Sequence, residues 1–170
     1  RAMLCLMAYT GARTIEVQRA KVGDLRSNDK LKLHVHGKGH SDADEPLYLV
    51  HPDLVSVMYD WLAVHPRGDD PDAALFCGLG NRNRGGALTT AWIRMTVKDA
   101  YRKAGIRDPR KTTHSLRHSL VTNLIRHKVP PTKIMTVTRH KSLDTILAYA
   151  HEVDRDSDPA EAYVDYSNGQ

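Results

Sequence analysis

The spacing of apolar positions changes along this chain, and each change marks an element. Residues 1–10 are apolar on nearly every side and predict a buried helix. Gly11 breaks it, and a short helix resumes from Thr14 to about Ala20. Apolar and polar residues then alternate, so Val22 to Leu25, Leu31 to His36 and Leu47 to Val50 read as strands, with the polar stretch His40 to Glu45 joining the last two. Pro52 suits the first turn of a helix reaching about Val64. The segments Pro66 to Asp72 and Gly78 to Gly86 have loop composition. Thr89 or Thr90 caps a helix that ends at Lys103, with Gly105 in the position just past its end. Thr112 or Thr113 caps another, from His114 to about His127, whose Leu116, Leu120 and Leu124 recur every four residues as an expected core stripe. Pro130 and Pro131 precede a short helix from Thr132 to about Thr138. Ser142 caps the last helix, where Leu143, Ile146, Leu147 and Ala150 share an apolar face. Residues 152–170 read as an acidic C-terminal tail. The fold class expected is α+β, mostly helical with a small three-stranded antiparallel sheet.

Composition narrows this picture only a little. At 170 residues and 41% hydrophobic content the chain is of one-domain length and can bury a core without a disulfide or metal staple. Cys5 and Cys77 form neither a disulfide framework nor a paired metal motif and are expected to be reduced thiols of a cytoplasmic protein. No secretory leader and no apolar run of membrane-spanning length is present, so no membrane partner is expected. The formal charge of +5 is compatible with nucleic acid but does not require it. The uncapped, apolar opening helix suggests a domain excised from a longer protein.

The chemistry-bearing residues come in a definite order: Thr10-Gly-Ala-Arg13-Thr-Ile-Glu16, Gly37-Lys38-Gly39 after a strand, His114-Ser-Leu-Arg117-His118, His140, and Tyr149 nine positions later. Cleaving a phosphodiester gathers negative charge on non-bridging oxygens, which fixed cationic donors must meet. Guanidiniums suit this, being planar, permanently charged and able to donate in forks. Arg13 and Arg117 are the candidates. His114 and Arg117, three apart, share a face at a helix start where unbonded N–H groups already favour an anion.

In order and spacing, from about Arg1 to His151, these residues resemble the tyrosine recombinase, or phage integrase, family. The resemblance implies a catalytic domain that cuts and rejoins DNA strands at specific sites through a 3′-phosphotyrosine, with Tyr149 as nucleophile. It also implies Lys38 protonating the departing 5′ oxygen and His140 bonding a non-bridging oxygen or the leaving group. A free phenol with a pKa of about 10 is only roughly 0.1% ionised at pH 7, so Tyr149 needs a base, for which His114 is placed, and a positive field. Glu16 is read as orienting an arginine or lysine. Arg139 stands where the family commonly has glycine. The ester conserves the bond energy, so no cofactor and no metal are implied. The partner implied is double-stranded DNA, engaged by a tetramer on paired sites together with an N-terminal core-binding domain; the isolated domain is expected to be a monomer. Three other readings compete. Metal chemistry would use His34 with His36 or His114 with His118, at permissible ligand spacings but lacking a third ligand. A helix-turn-helix-like DNA reader built on Pro130 to Tyr149 leaves Arg13 and Lys38 without a purpose. A type IB topoisomerase would share the tyrosine chemistry.

Overall fold

The apolar first helix is met by neighbours on several sides. Helix α1, Ala2–Thr10, buries Ala2, Met3, Leu6 and Met7. It closes on Gly11, whose φ of 64° lies in the left-handed region and whose N–H bonds to the Met7 carbonyl at 3.0 Å. Helix α2, Thr14–Arg19, follows at once. The computed structural model describes residues 1–36, 43–140 and 142–157. They fall into two units, Arg1–Leu120 and Val121–Gln170, each with its own apolar cluster.

In the first unit, β1 (Leu25–Ser27), β2 (Leu31–His36) and β3 (Ala43–Tyr48) form an antiparallel sheet in the order β1-β2-β3. The alternation expected of β2 is present: Leu31, Leu33 and Val35 are buried and the residues between them are half-buried. Two details differ from the pattern. Val22 to Asp24 is a single 3-10 turn rather than a strand, because the Asp24 carboxylate accepts the Lys21 N–H at 2.9 Å and curls the chain. Strand β3 begins at Ala43, earlier than the apolar pair Leu47 and Leu49 suggests, since backbone pairing with β2 extends through Glu45 and Pro46. Proline is tolerated there because β3 is an edge strand.

Helix α3, Pro52–Ala63, packs on α1 through Leu54, Val57 and Met58. Helix α4, Thr90–Lys103, starts where the Thr89 hydroxyl accepts the Trp92 N–H at 3.2 Å and buries Ile93 and Val97. Helix α5, Thr113–Arg126, begins in the first unit and continues into the second.

The second unit adds α6, Pro131–Thr138, and α7, Leu143–Ser157, which pack together. Its cluster consists of buried Val121, Ile134 and Ile146, with Leu124, Ile125, Val129, Met135 and Tyr149 against them. Only part of the expected α7 face is covered, since Leu143 and Leu147 remain 38% and 37% exposed. The helix also runs to Ser157, past the expected start of the tail.

Candidate active site

Arg13 sits at the N-terminus of α2, directly after the turn that ends α1. Its backbone N–H donates to Glu16 Oε2 and its Nη1 to Glu16 Oε1, both at 2.7 Å. The Glu16 side chain is 1% exposed and that of Arg13 41%. A buried carboxylate thus grips the guanidinium at one nitrogen and caps the helix at the same time.

Arg117 reaches the same segment from the far end of the unit. It lies in the second turn of α5, is 5% exposed, and its Nη1 donates to the Gly11 carbonyl at 2.9 Å across 106 residues of sequence. Gly11 is the residue this approach requires. A Cβ there would lie 3.3 Å from Leu120 Cδ2 and 3.4 Å from Arg117 Cγ, besides needing a left-handed backbone. The start of α5 is organised reciprocally: the Thr112 hydroxyl accepts the His114 N–H at 3.3 Å, and the Ser115 hydroxyl accepts the Thr112 N–H at 3.0 Å. His114 is exposed, and its ring meets that of His118 edge-on with centroids 4.5 Å apart. A second bond joins the two helix starts, Thr14 Oγ1 to Thr113 Oγ1 at 3.0 Å. The structure therefore brings Arg13, Glu16, His114 and Arg117 to the adjoining N-termini of α2 and α5. Two guanidiniums and a helix start make a cationic seat suited to an oxyanion.

His140 and Tyr149 belong to the second unit. The Thr138 hydroxyl, fully buried, donates to the Ile134 carbonyl at 2.7 Å and lies 2.7 Å from His140 Nδ1. Its one hydrogen being spent on the carbonyl, the hydroxyl accepts from Nδ1–H. Between them Arg139 takes φ 55° and ψ 44°, the left-handed conformation that glycine adopts without penalty. Arginine thus adopts here a backbone conformation that favours glycine. Tyr149, half-buried on α7, packs its ring against the Val121, Ile134 and Ile146 cluster. Lys38 lies outside the described residues.

Other parts of the molecule hold none of these residues. An apolar cavity of about 740 Å³, lined by Met3, Trp61, Phe76, Leu88 and Trp92 among others, contains no candidate site residue. Among the described residues, no group of three or more His, Cys, Asp or Glu side chains is placed to hold a metal ion, and no helix is long and apolar enough to cross a membrane. Sequence reasoning left out the Gly11 carbonyl and the hydroxyl contacts of Thr14 and Thr138, and took Thr113 only as an alternative helix cap. The glycine after Thr10 was a visible signal; the threonines carry none, because their contacts depend on the tertiary structure.

The model of the phage integrase family matches residues 1–155. The tyrosine recombinase XerC of Haemophilus ducreyi is 29% identical over 150 residues, 88% of this chain and 46% of the relative. XerH of Helicobacter pylori is 27% identical over 152 residues, covering 89% and 40%. The chain thus spans less than half the length of these curated relatives. Among solved structures, XerH bound to a palindromic difH substrate in a post-cleavage complex superposes with a TM-score of 0.75 at 25% identity, over 95% of this chain and 44% of that one. The XerA recombinase gives 0.74 at 25%, over 97% and 57%. The fold is that of tyrosine recombinase catalytic domains, and the chain belongs to the phage integrase, or tyrosine recombinase, family.

Proposed function

We propose that this chain is the catalytic domain of a site-specific recombinase acting on double-stranded DNA. Tyr149 Oη attacks a backbone phosphorus, the P–O5′ bond breaks, and a 3′-phosphotyrosine forms; a 5′ hydroxyl of another strand then reverses the step. Arg13 and Arg117 neutralise the non-bridging oxygens, and His114 accepts the phenolic proton. His140 donates to an oxygen of the reacting phosphate through Nε2, and Lys38 returns a proton to the departing 5′ oxygen. Glu16 orients Arg13. In the assembled protein the exchange runs on paired sites within a tetramer.

The observation that carries this reading is the meeting of Arg117 with the Gly11 carbonyl, two residues before Arg13. A buried guanidinium is costly unless bonded. Here the bonded guanidinium meets the same segment that carries a second, partly exposed one, near a helix start, which concentrates positive charge. The XerH relative is known in a post-cleavage complex with its difH substrate, which supports strand cleavage as the chemistry of this fold.

The test is covalent capture on a nicked duplex from which the 5′ fragment diffuses away. The wild-type protein is expected to give a protein–DNA adduct that maps to Tyr149, and Tyr149→Phe to give none while binding the duplex with affinity within about twofold of wild type. An adduct that survives in Tyr149→Phe, or maps to another residue, overturns the assignment.

A further inference from the structure

We propose that the Thr14–Thr113 hydroxyl bridge is a positioning pair that sets the spacing of the two arginines and His114, an inference that rests on the catalytic reading above. The two threonines are 99 residues apart in sequence and both half-buried, and their Oγ1 atoms are 3.0 Å apart. Each is the first residue of its helix, α2 or α5. Each is also the chain neighbour of a proposed catalytic side chain: Arg13 precedes Thr14, and His114 follows Thr113. The bridge therefore ties the two helix starts at the positions where a small slip would displace those groups relative to one another.

Neither hydroxyl is needed to form its helix. The Arg13 N–H is capped by Glu16, and α5 is capped by Thr112 with Ser115. A capping explanation for Thr14 and Thr113 is therefore already supplied by other residues. The contact between Arg117 Nη1 and the Gly11 carbonyl fixes one point of α5 against the α1–α2 turn. The Thr14–Thr113 bond adds a tie at the helix starts themselves. Hydroxyls suit this task because a bond between them has a narrow distance and angle range, whereas apolar contacts slide.

The chemical demand for such a tie is severe. Donors to a transition state act only if held where charge develops, and a misplacement on the order of 1 Å can cost roughly a hundredfold in rate. Valine matches threonine in shape and keeps the packing while deleting the bond. The wild-type rate of covalent capture on the nicked duplex is compared, at saturating DNA and in single turnover, with Thr14→Val, Thr113→Val, the double variant, Thr14→Ser and Thr113→Ser in the intact protein.

Either valine is expected to slow capture on the order of tenfold, a fraction of the loss for a full ångström, with the dissociation constant for the duplex changed less than twofold. The double variant should be no slower than the worse single one, since both remove the same bond. The serine variants should regain most of the rate. Urea unfolding of each variant separates loss of fold from loss of positioning. Valine variants that capture at the wild-type rate, losses that multiply in the double variant, or serine variants as slow as valine overturn the pair. If the wild-type protein itself forms no adduct, it is the catalytic reading that fails, not the bridge.

Discussion

Replacing Gly11 by alanine tests the seat on which Arg117 rests, and the size of the effect can be worked from the structure. Gly11 has φ 64°. An L-residue in that region costs about 1–2 kcal/mol, and the stiffer unfolded chain of alanine returns about 0.4–1 kcal/mol. That leaves a net loss near 1 kcal/mol from the backbone alone. The new Cβ would also lie 3.3 Å from Leu120 Cδ2 and 3.4 Å from Arg117 Cγ, so both side chains must yield by a few tenths of an ångström. Driving a packed side chain off its preferred rotamer costs about 0.5–1.5 kcal/mol, so Gly11→Ala is expected to destabilise by about 2 kcal/mol in all. Gly105 provides the control. It too has a positive φ, 79°, but no atom within 4 Å of its would-be Cβ, so Gly105→Ala carries the backbone cost alone, about 1 kcal/mol. Urea unfolding followed by circular dichroism measures both. Capture assays at saturating DNA should show Gly11→Ala slowed on the order of tenfold and Gly105→Ala unchanged. Equal stability losses in the two variants, with Gly11→Ala at full activity, would refute the claim that the backbone at Gly11 is shaped to receive Arg117.

Two further outcomes follow from other sites. Arg117→Ala should slow single-turnover capture by roughly 10²–10³, the range for losing a fixed transition-state donor; a loss under threefold removes Arg117 from its role. Cys77 is 5% exposed, and burial pushes its thiol above the ordinary value, so it is mostly uncharged near neutral pH. Iodoacetamide at pH 8 should leave Cys77 unmodified in the native protein and alkylate it readily in urea, as read by peptide mass mapping; fast native labelling would show that the site opens far more readily than its packing implies.

How much of this was legible in the sequence depends on which force fixed each residue. The helices of the first unit follow their apolar periods because burial of Leu6, Met7, Leu54, Met58, Ile93 and Val97 is what forms them. Helix α5 departs from its pattern in an instructive way. Leu116, Leu120 and Leu124 are half-buried flanks, while the most buried positions are Arg117 and Val121, one residue on. Apolar periodicity assigns an arginine to the surface by default. It cannot know that a carbonyl 106 residues away will bond the guanidinium. The motif revealed Arg117 as chemistry, and only the fold revealed it as buried. Arg139 is the converse case. Its departure from glycine is visible in sequence, but not the left-handed backbone that it adopts before His140 at some cost in strain. Strand β3 was placed late because its pairing rests on backbone hydrogen bonds to β2, which side-chain alternation through Asp44, Glu45 and Pro46 does not reveal.

On the proposed roles, the two units differ in a way that matches what each must do. Groups that stabilise charge in a transition state work best when they need not reorganise during the reaction. Arg13 and Arg117 are so held: one by a buried carboxylate, the other by a backbone carbonyl, both in the unit whose core cluster runs from Ala2 to Val97. A nucleophile has the opposite requirement. Its oxygen must close from van der Waals contact to a covalent bond, then carry a strand end through exchange. Tyr149 packs against a cluster whose buried hydrophobic members, among the described residues, are Val121, Ile134 and Ile146. The proposed donors are thus fixed before the reaction begins, which is where stiffness contributes to rate.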